Sequence, residues 1–126
     1  MDTAHYAQKL EQVLKARTQA SWHDHKSQET NEGARSFHYA LIGLKLKLEP
    51  LLQQPVTDIA TLSTSVNEAI AAYKTEALKP EDPSHLHGHP EYVQDFEQAT
   101  DELQTAVKSC DLQTLEDLAK KYQPKQ

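Results

Sequence analysis

The sequence contains few glycines and a single cysteine, and these shortages exclude several classes of protein. Glycine occurs only at positions 33, 43 and 88, so the closely spaced glycines of dinucleotide-binding turns and phosphate-binding loops are missing. The HExxH, GxSxG, CxxC and CxxCH patterns of zinc proteases, hydrolases, zinc ribbons and c-type haem proteins are also absent. Cys110 has no partner for an intrachain disulfide, which is typical of a reducing compartment. We therefore expect a protein that is not an enzyme.

Positive charge and long apolar runs are scarce too. The chain has 13 Lys and Arg against 19 Asp and Glu, a net charge of -6, and residues 91–126 carry eight acidic and four basic side chains. Nucleic-acid-binding surfaces carry clustered Lys and Arg, so a nucleic-acid partner is not expected. No stretch approaches the roughly 20 apolar residues of a membrane span, and the N-terminus lacks the apolar core of a secretion signal. These features predict a soluble, cytoplasmic protein without a membrane partner.

Most of the chain has apolar side chains at alternating spacings of three and four residues, the period of an amphipathic helix. The predicted helices cover residues 3–26, a segment ending near Pro50, a segment from a cap at Thr57 or Asp58 to just before Pro80, residues 90–110, and a short segment from Asp111 to just before Pro124. No segment shows the alternation of a half-buried strand. The prediction is one all-α domain over residues 1–126, an antiparallel four-helix bundle with a short fifth C-terminal helix.

The second predicted helix has two apolar faces. The first face consists of Phe37, Leu41, Leu44, Leu48 and Leu51, and we expect it in the core. Tyr39, Ile42 and Leu46 recur at spacings of three and four residues on the opposite face. Because a four-helix bundle buries one face per helix, the second face must contact either another part of the chain or another molecule.

Trp22 favours contact with another molecule. In a hairpin turning near Thr30 it lies level with His38, yet it falls away from the core face of the first helix. Trp and Tyr are favoured interface anchors. The main prediction is a regulatory or binding module that acts through protein–protein contacts, as a homodimer or with a different protein. The candidate interface comprises Trp22, Tyr39, Ile42, Lys45 and Leu46. Burial of this set by the first helix or by the long loop is the alternative.

Residues 79–90 form a predicted loop rich in proline and histidine. In an extended chain His85, His87 and His89 would point to one side, and a bend at Gly88 would bring their imidazoles onto one ion. Glu81, Asp82 and Glu91 lie close enough in sequence to complete a site for Zn, Ni or Cu, metals that bind imidazole and accept carboxylate. A metal-binding protein is therefore an alternative function. A solvated polar loop explains the same residues without a ligand.

The segment Phe37–Gly43, with the sequence FHYALIG, is similar to the histidine helix of histidine-phosphotransfer domains. Those domains are four-helix bundles of comparable length. The resemblance implies that an exposed His38 accepts a phosphoryl group from a receiver domain. That family usually has Lys just before the glycine, where this chain has Ile42. A signalling domain with His38 as phospho-acceptor is the second alternative.

Overall fold

Helices make up most of the computed structural model, which describes residues 3–55 and 58–123. They are α1 (Thr3–Ser27), α2 (Glu32–Gln53), α3 (Ile59–Ala77), α4 (Pro90–Lys108) and α5 (Leu112–Tyr122), with a 3-10 turn at Leu86–Gly88. No strand occurs in the described residues, so the all-α prediction is confirmed. None of the helices in this part of the chain combines the length and the apolar character needed to cross a membrane.

Polar caps fix the starts of three helices. The side chains of Asn31 and Asp58 accept hydrogen bonds from backbone N–H groups three residues later, at 3.1 and 2.7 Å. Asp111 accepts one from the N–H two residues later, at 3.4 Å. These oxygens satisfy donors that the first turn of a helix leaves unpaired. Asp58 and Asp111 are therefore confirmed as caps, and Thr57, the other candidate, lies outside the described residues.

The helix predicted to end near Pro50 continues three residues further, to Gln53. A proline inside a helix removes the hydrogen bond to the carbonyl four residues earlier, which here belongs to Leu46. Both Pro50 and Leu46 are exposed, so water can hydrate that carbonyl. Leu52 is buried and keeps the last turn of α2 on the core.

One apolar face of each helix contributes to the core. Fully buried side chains include Tyr6, Leu10, Leu48, Val66, Ile70, Phe96 and Leu115. The predicted core face of α2 is confirmed at Phe37, Leu41, Leu44 and Leu48, which are at most 5% exposed. Leu51 is only partly buried and packs at the edge of this core.

The helices contact one another in a defined set of pairs. Helix α1 packs against α2 and α5, α2 also packs against α3 and α4, and α3 packs against α4. The carbonyl of Val107, near the end of α4, accepts hydrogen bonds from the Tyr6 hydroxyl at 2.9 Å and the Ser63 hydroxyl at 2.8 Å. The first turns of α1 and α3 therefore meet the last turn of α4. Burial, with a smaller effect from Cys110, raises the pKa of Tyr6 to about 12.

Gly43 allows α2 and α3 to approach each other closely. A Cβ atom added at this position would lie 2.0 Å from the hydroxyl oxygen of Tyr73 and 2.9 Å from its ring carbon Cζ. The Tyr73 ring packs against Phe96, with 6.4 Å between the ring centroids. A larger side chain at position 43 would therefore have to displace a buried ring.

Candidate functional site

Three large apolar side chains are exposed in the described residues, and all three belong to the predicted interface. Trp22, Tyr39 and Leu46 are exposed to 45%, 53% and 61%. Ile42, the fourth apolar member of the predicted set, is partly buried. We call the surface formed by Trp22, His25, Tyr39 and Leu46 the aromatic face. The prediction that Trp22 lies off the core face of α1 is confirmed.

Ring contacts join α1 and α2 across the aromatic face. The Trp22 ring lies 5.5 Å from His38 and 5.7 Å from His25 between centroids, and His25 lies 6.5 Å from Tyr39. Trp22 is therefore level with His38, as predicted from the hairpin. The histidine rings connect the exposed tryptophan of α1 to the exposed tyrosine of α2.

Two of the lysines at the border of the aromatic face are already paired within the chain. Lys45, a predicted interface residue, is partly buried and lies 3.7 Å from Glu49. Lys26 lies 3.7 Å from Glu29, and its ammonium nitrogen stands 5.4 Å from the centroid of the Trp22 ring. The centre of the aromatic face consequently consists of uncharged side chains and His25.

A groove of about 590 Å³ extends the aromatic face toward α3 and the loop that follows it. Tyr39 and Leu46 line one wall, and Tyr73 and Pro83 line the other. Burial, reinforced by Asp82 and Glu76, raises the pKa of Tyr73 to about 12. The loop reaches this surface but leaves Tyr39 and Leu46 more than half exposed, so burial of this set by the long loop is wrong.

Beneath the aromatic face, His38 and Ser21 form a buried pair. The Nδ1 atom of His38 lies 2.6 Å from the Ser21 hydroxyl oxygen, and that hydroxyl also lies 3.0 Å from the carbonyl of Thr18. Both contacts are hydrogen bonds when the Ser21 hydroxyl donates to the Thr18 carbonyl and His38 is the neutral tautomer with its hydrogen on Nδ1. That N–H then donates to the Ser21 hydroxyl oxygen. Burial and the neighbouring His25 lower the pKa of His38. In this arrangement the neutral imidazole holds the helices together and does not take a proton from Ser21.

The exposed position that the phosphotransfer resemblance implied for His38 is wrong. Its side chain is only 6% exposed, because α1 covers this part of α2 through Ser21 and Trp22. A phospho-acceptor nitrogen must be accessible to a phosphorylated partner domain. His38 does not have that accessibility in this structure.

The histidine-rich loop is not an extended chain. His85 adopts a left-handed backbone with φ 58°, and residues Leu86–Gly88 form a 3-10 turn. Leu86 is fully buried and anchors the loop to the core. His85 and His87 are exposed and His89 is partly buried, so alternation along a strand does not describe them.

The metal prediction depends on the same loop. Across residues 3–55 and 58–123, no group of three or more His, Cys, Asp or Glu side chains is arranged to hold a metal ion. Asp82, one predicted ligand, instead accepts a hydrogen bond from the backbone N–H of Ser84 at 3.0 Å. Glu81 and Glu91 are exposed. Binding of Zn, Ni or Cu by this loop stays a prediction.

Cys110 lies beyond the end of α4, although the predicted helix covered residues 90–110. The helix ends at Lys108, and Cys110 adopts a left-handed backbone with φ 54° in the turn before α5. It is partly buried. The turn, and not the helix, determines its position.

A second feature, not predicted from the sequence, is a cleft of about 420 Å³ between α1, α2, α4 and α5. At its wall the Arg17 guanidinium lies over two aromatic rings, 5.1 Å from the centroid of Phe37 and 4.9 Å from that of Tyr122. The spacing of Leu10, Leu14 and Arg17 places this arginine on the core face of α1. A charge on an apolar face was the signal that could have identified it.

Comparisons of this chain with models of known protein families, with characterised proteins and with solved structures give no match.

Proposed function

We propose that this chain is a non-enzymatic interaction module that self-associates through the aromatic face. The supporting observation is that Trp22, Tyr39 and Leu46, the large apolar side chains exposed in the described residues, belong to one continuous surface. Exposed apolar patches of this kind mark interaction sites, and Trp and Tyr often supply most of the binding energy. The cytoplasm is the proposed location, because a single cysteine suits a reducing compartment.

The charge distribution favours a second copy of the chain as the partner. In a two-fold symmetric dimer the same surface faces itself, so a patch with unpaired charge of one sign would be repelled. Lys26 and Lys45, at the border of the aromatic face, are already paired with Glu29 and Glu49. Uncharged rings and Leu46 occupy the centre. The rings and Leu46 can therefore meet their own copies without bringing like charges together. Lys47, next to Leu46, is an exposed charge that forms no ion pair with a described residue.

We further infer that α1 to α4 form an antiparallel four-helix bundle, with α5 against α1. Two separate contacts between α1 and α2 support this arrangement. Near the turn Ser21 meets His38, whereas one and a half turns earlier in α1 Lys15 shares a cavity with Lys45. Residues later in α2 therefore face residues earlier in α1, as expected for a hairpin.

Light scattering of the wild type and of Leu46→Glu tests the proposal. We expect the wild type to be a dimer at high concentration and the variant to be a folded monomer, because a charge at an exposed position disrupts an interface without disturbing the core. Circular dichroism of the variant should match that of the wild type.

Ala72→Glu is the matched control, since it adds the same charge at an exposed position of α3 away from the aromatic face. It should leave the dimer intact. A wild type that stays monomeric at high concentration would show that self-association is wrong and would require a different protein partner. Equal dissociation of both variants would show that the effect comes from net charge.

A further inference from the structure

The cleft beside Arg17 has features of a ligand site that self-association does not use. Its volume of about 420 Å³ falls within the roughly 300–1,000 Å³ typical of small-molecule sites. Its lining includes Arg17, Asp24, Phe37, Tyr92, Asp95 and Tyr122. Aromatic rings and charged groups therefore line the same space, the usual composition of a site that orients a small molecule.

Two cationic side chains line the cleft, Arg17 and Lys121. Lys121 is paired with Glu102, whereas no residue neutralises Arg17 directly. Arg17 forms no ion pair and no hydrogen bond with another described residue, and its Nε atom is buried without a partner. The guanidinium lies over the rings of both Phe37 and Tyr122, and these contacts restrict its orientation without using its N–H donors. Burial lowers its pKa, and the carboxylates of Glu102, Asp95 and Asp24 oppose that shift. A fixed, unpaired guanidinium is suited to bind a carboxylate.

The three carboxylates of the cleft differ in the hydrogen bonds that they accept from other residues. Glu102 accepts hydrogen bonds from the Lys121 ammonium group and the Tyr122 hydroxyl. Asp24 accepts one side-chain hydrogen bond, from Gln28 at 3.0 Å. Asp95 accepts none from the described residues and is exposed. Asp24 and Asp95 therefore retain the capacity to accept hydrogen bonds from a cationic group.

These charges select a ligand that carries both signs. A simple anion at Arg17 would be repelled by Asp24 and Asp95, and a simple cation beside the two aspartates would be repelled by Arg17. We propose that the cleft binds a free α-amino acid with an apolar or aromatic side chain. Arg17 holds its carboxylate, and Asp24 and Asp95 receive its ammonium group. The rings of Phe37 and Tyr92, which lie 5.9 Å apart between centroids, provide the apolar wall for the side chain.

Isothermal titration calorimetry with L-phenylalanine, 3-phenylpropionate and 2-phenylethylamine tests this proposal on the full chain. The last two probes each keep the ring but lack the ammonium or the carboxylate. We expect L-phenylalanine to bind at least about tenfold more tightly than either analogue, because each lost charge-assisted hydrogen bond removes affinity. Arg17→Met should weaken its binding by about tenfold or more, and Asp95→Asn by roughly threefold, since Asp95 is more exposed to solvent.

Glu97→Gln is the control, because Glu97 is exposed on α4, the helix that carries Asp95, but does not line the cleft. Its affinity for L-phenylalanine should equal that of the wild type. If Arg17→Met does not fold, the affinity of Asp95→Asn for L-phenylalanine tests the proposal instead, since exposed Asp95 contributes nothing to the core. Absence of L-phenylalanine binding at millimolar concentration would overturn the proposal. Equal binding of 2-phenylethylamine would also overturn it, and so would an affinity unchanged in both variants.

Discussion

His38 shows how burial determines the chemistry of a single residue. Its imidazole is enclosed by α1 and α2, with Ser21, Trp22, His25 and Tyr39 around it. The His25 ring is nearly parallel to it, with 6.1 Å between centroids and 19° between planes. A proton added to His38 would place a buried positive charge beside the His25 ring. Burial and this neighbour both favour the neutral form.

We expect the free energy of unfolding to fall as the pH is lowered through 6.5, the usual pKa of histidine. The folded-state pKa of His38 is lowered, so in the window below 6.5 the unfolded chain binds more protons than the folded one. Stability therefore rises with pH across that window and is lost on acidification. Urea denaturation at a series of pH values measures the slope.

His38→Asn should reduce that slope, because its amide nitrogen can replace Nδ1 as a donor to Ser21 without titrating. His87→Asn, which alters an exposed histidine of the loop, should leave the slope as in the wild type. Identical slopes in His38→Asn and in the wild type would show that His38 is not the source of this pH dependence.

At the scale of elements, α2 combines a buried face and an exposed face in one helix. Leu44 is 3% exposed, whereas Leu46, two residues later, is 61% exposed. Because two residues turn a helix by about 200°, these two leucines lie on nearly opposite sides. The same substitution at the two positions therefore has different physical consequences.

Leu44→Ala should lower the free energy of unfolding by about 2 to 5 kcal/mol, since it removes buried methyl groups and leaves a cavity. Leu46→Ala should change it by less than about 0.5 kcal/mol in the monomer. Chemical denaturation at low protein concentration measures both without a contribution from self-association. Similar losses for the two variants would show that the exposed face is buried in the monomer.

At the scale of the whole molecule, α5 is part of the main packing and not an appendage. It packs against α1, and its Leu115 is fully buried. Lys9 of α1 lies 3.0 Å from Glu116, and the Arg17 guanidinium lies over Tyr122. Loss of packing in α5 should therefore be transmitted to α1.

Leu115→Ala should lower the stability of the entire chain by about 2 to 5 kcal/mol. Trp22, the single tryptophan, reports on α1, so its fluorescence and circular dichroism should show the same lowered midpoint. Gln113→Ala changes an exposed residue of α5 and should leave the midpoint close to that of the wild type. A Trp22 transition unaffected by Leu115→Ala would mean that α5 unfolds independently.

Local patterns in the sequence were sufficient to predict the helices, two caps and the exposed apolar set of α2. Helix period and capping depend on residues within four positions of each other, so they can be read along the chain. Asp58 and Asp111 are examples, and so is the separation of Leu44 from Leu46 onto opposite faces.

Only the tertiary structure decided the features that depend on distant residues. His38 is buried because Ser21 and Trp22 of α1 cover it, and the loop turns because Leu86 enters the core. The Arg17 cleft requires Phe37 and Tyr122, which are 85 residues apart in sequence, to pack against one guanidinium. Helical periodicity indicates the direction in which each side chain leaves the axis of its helix. It does not indicate which other helix lies in that direction. Packing of the five helices supplies that information.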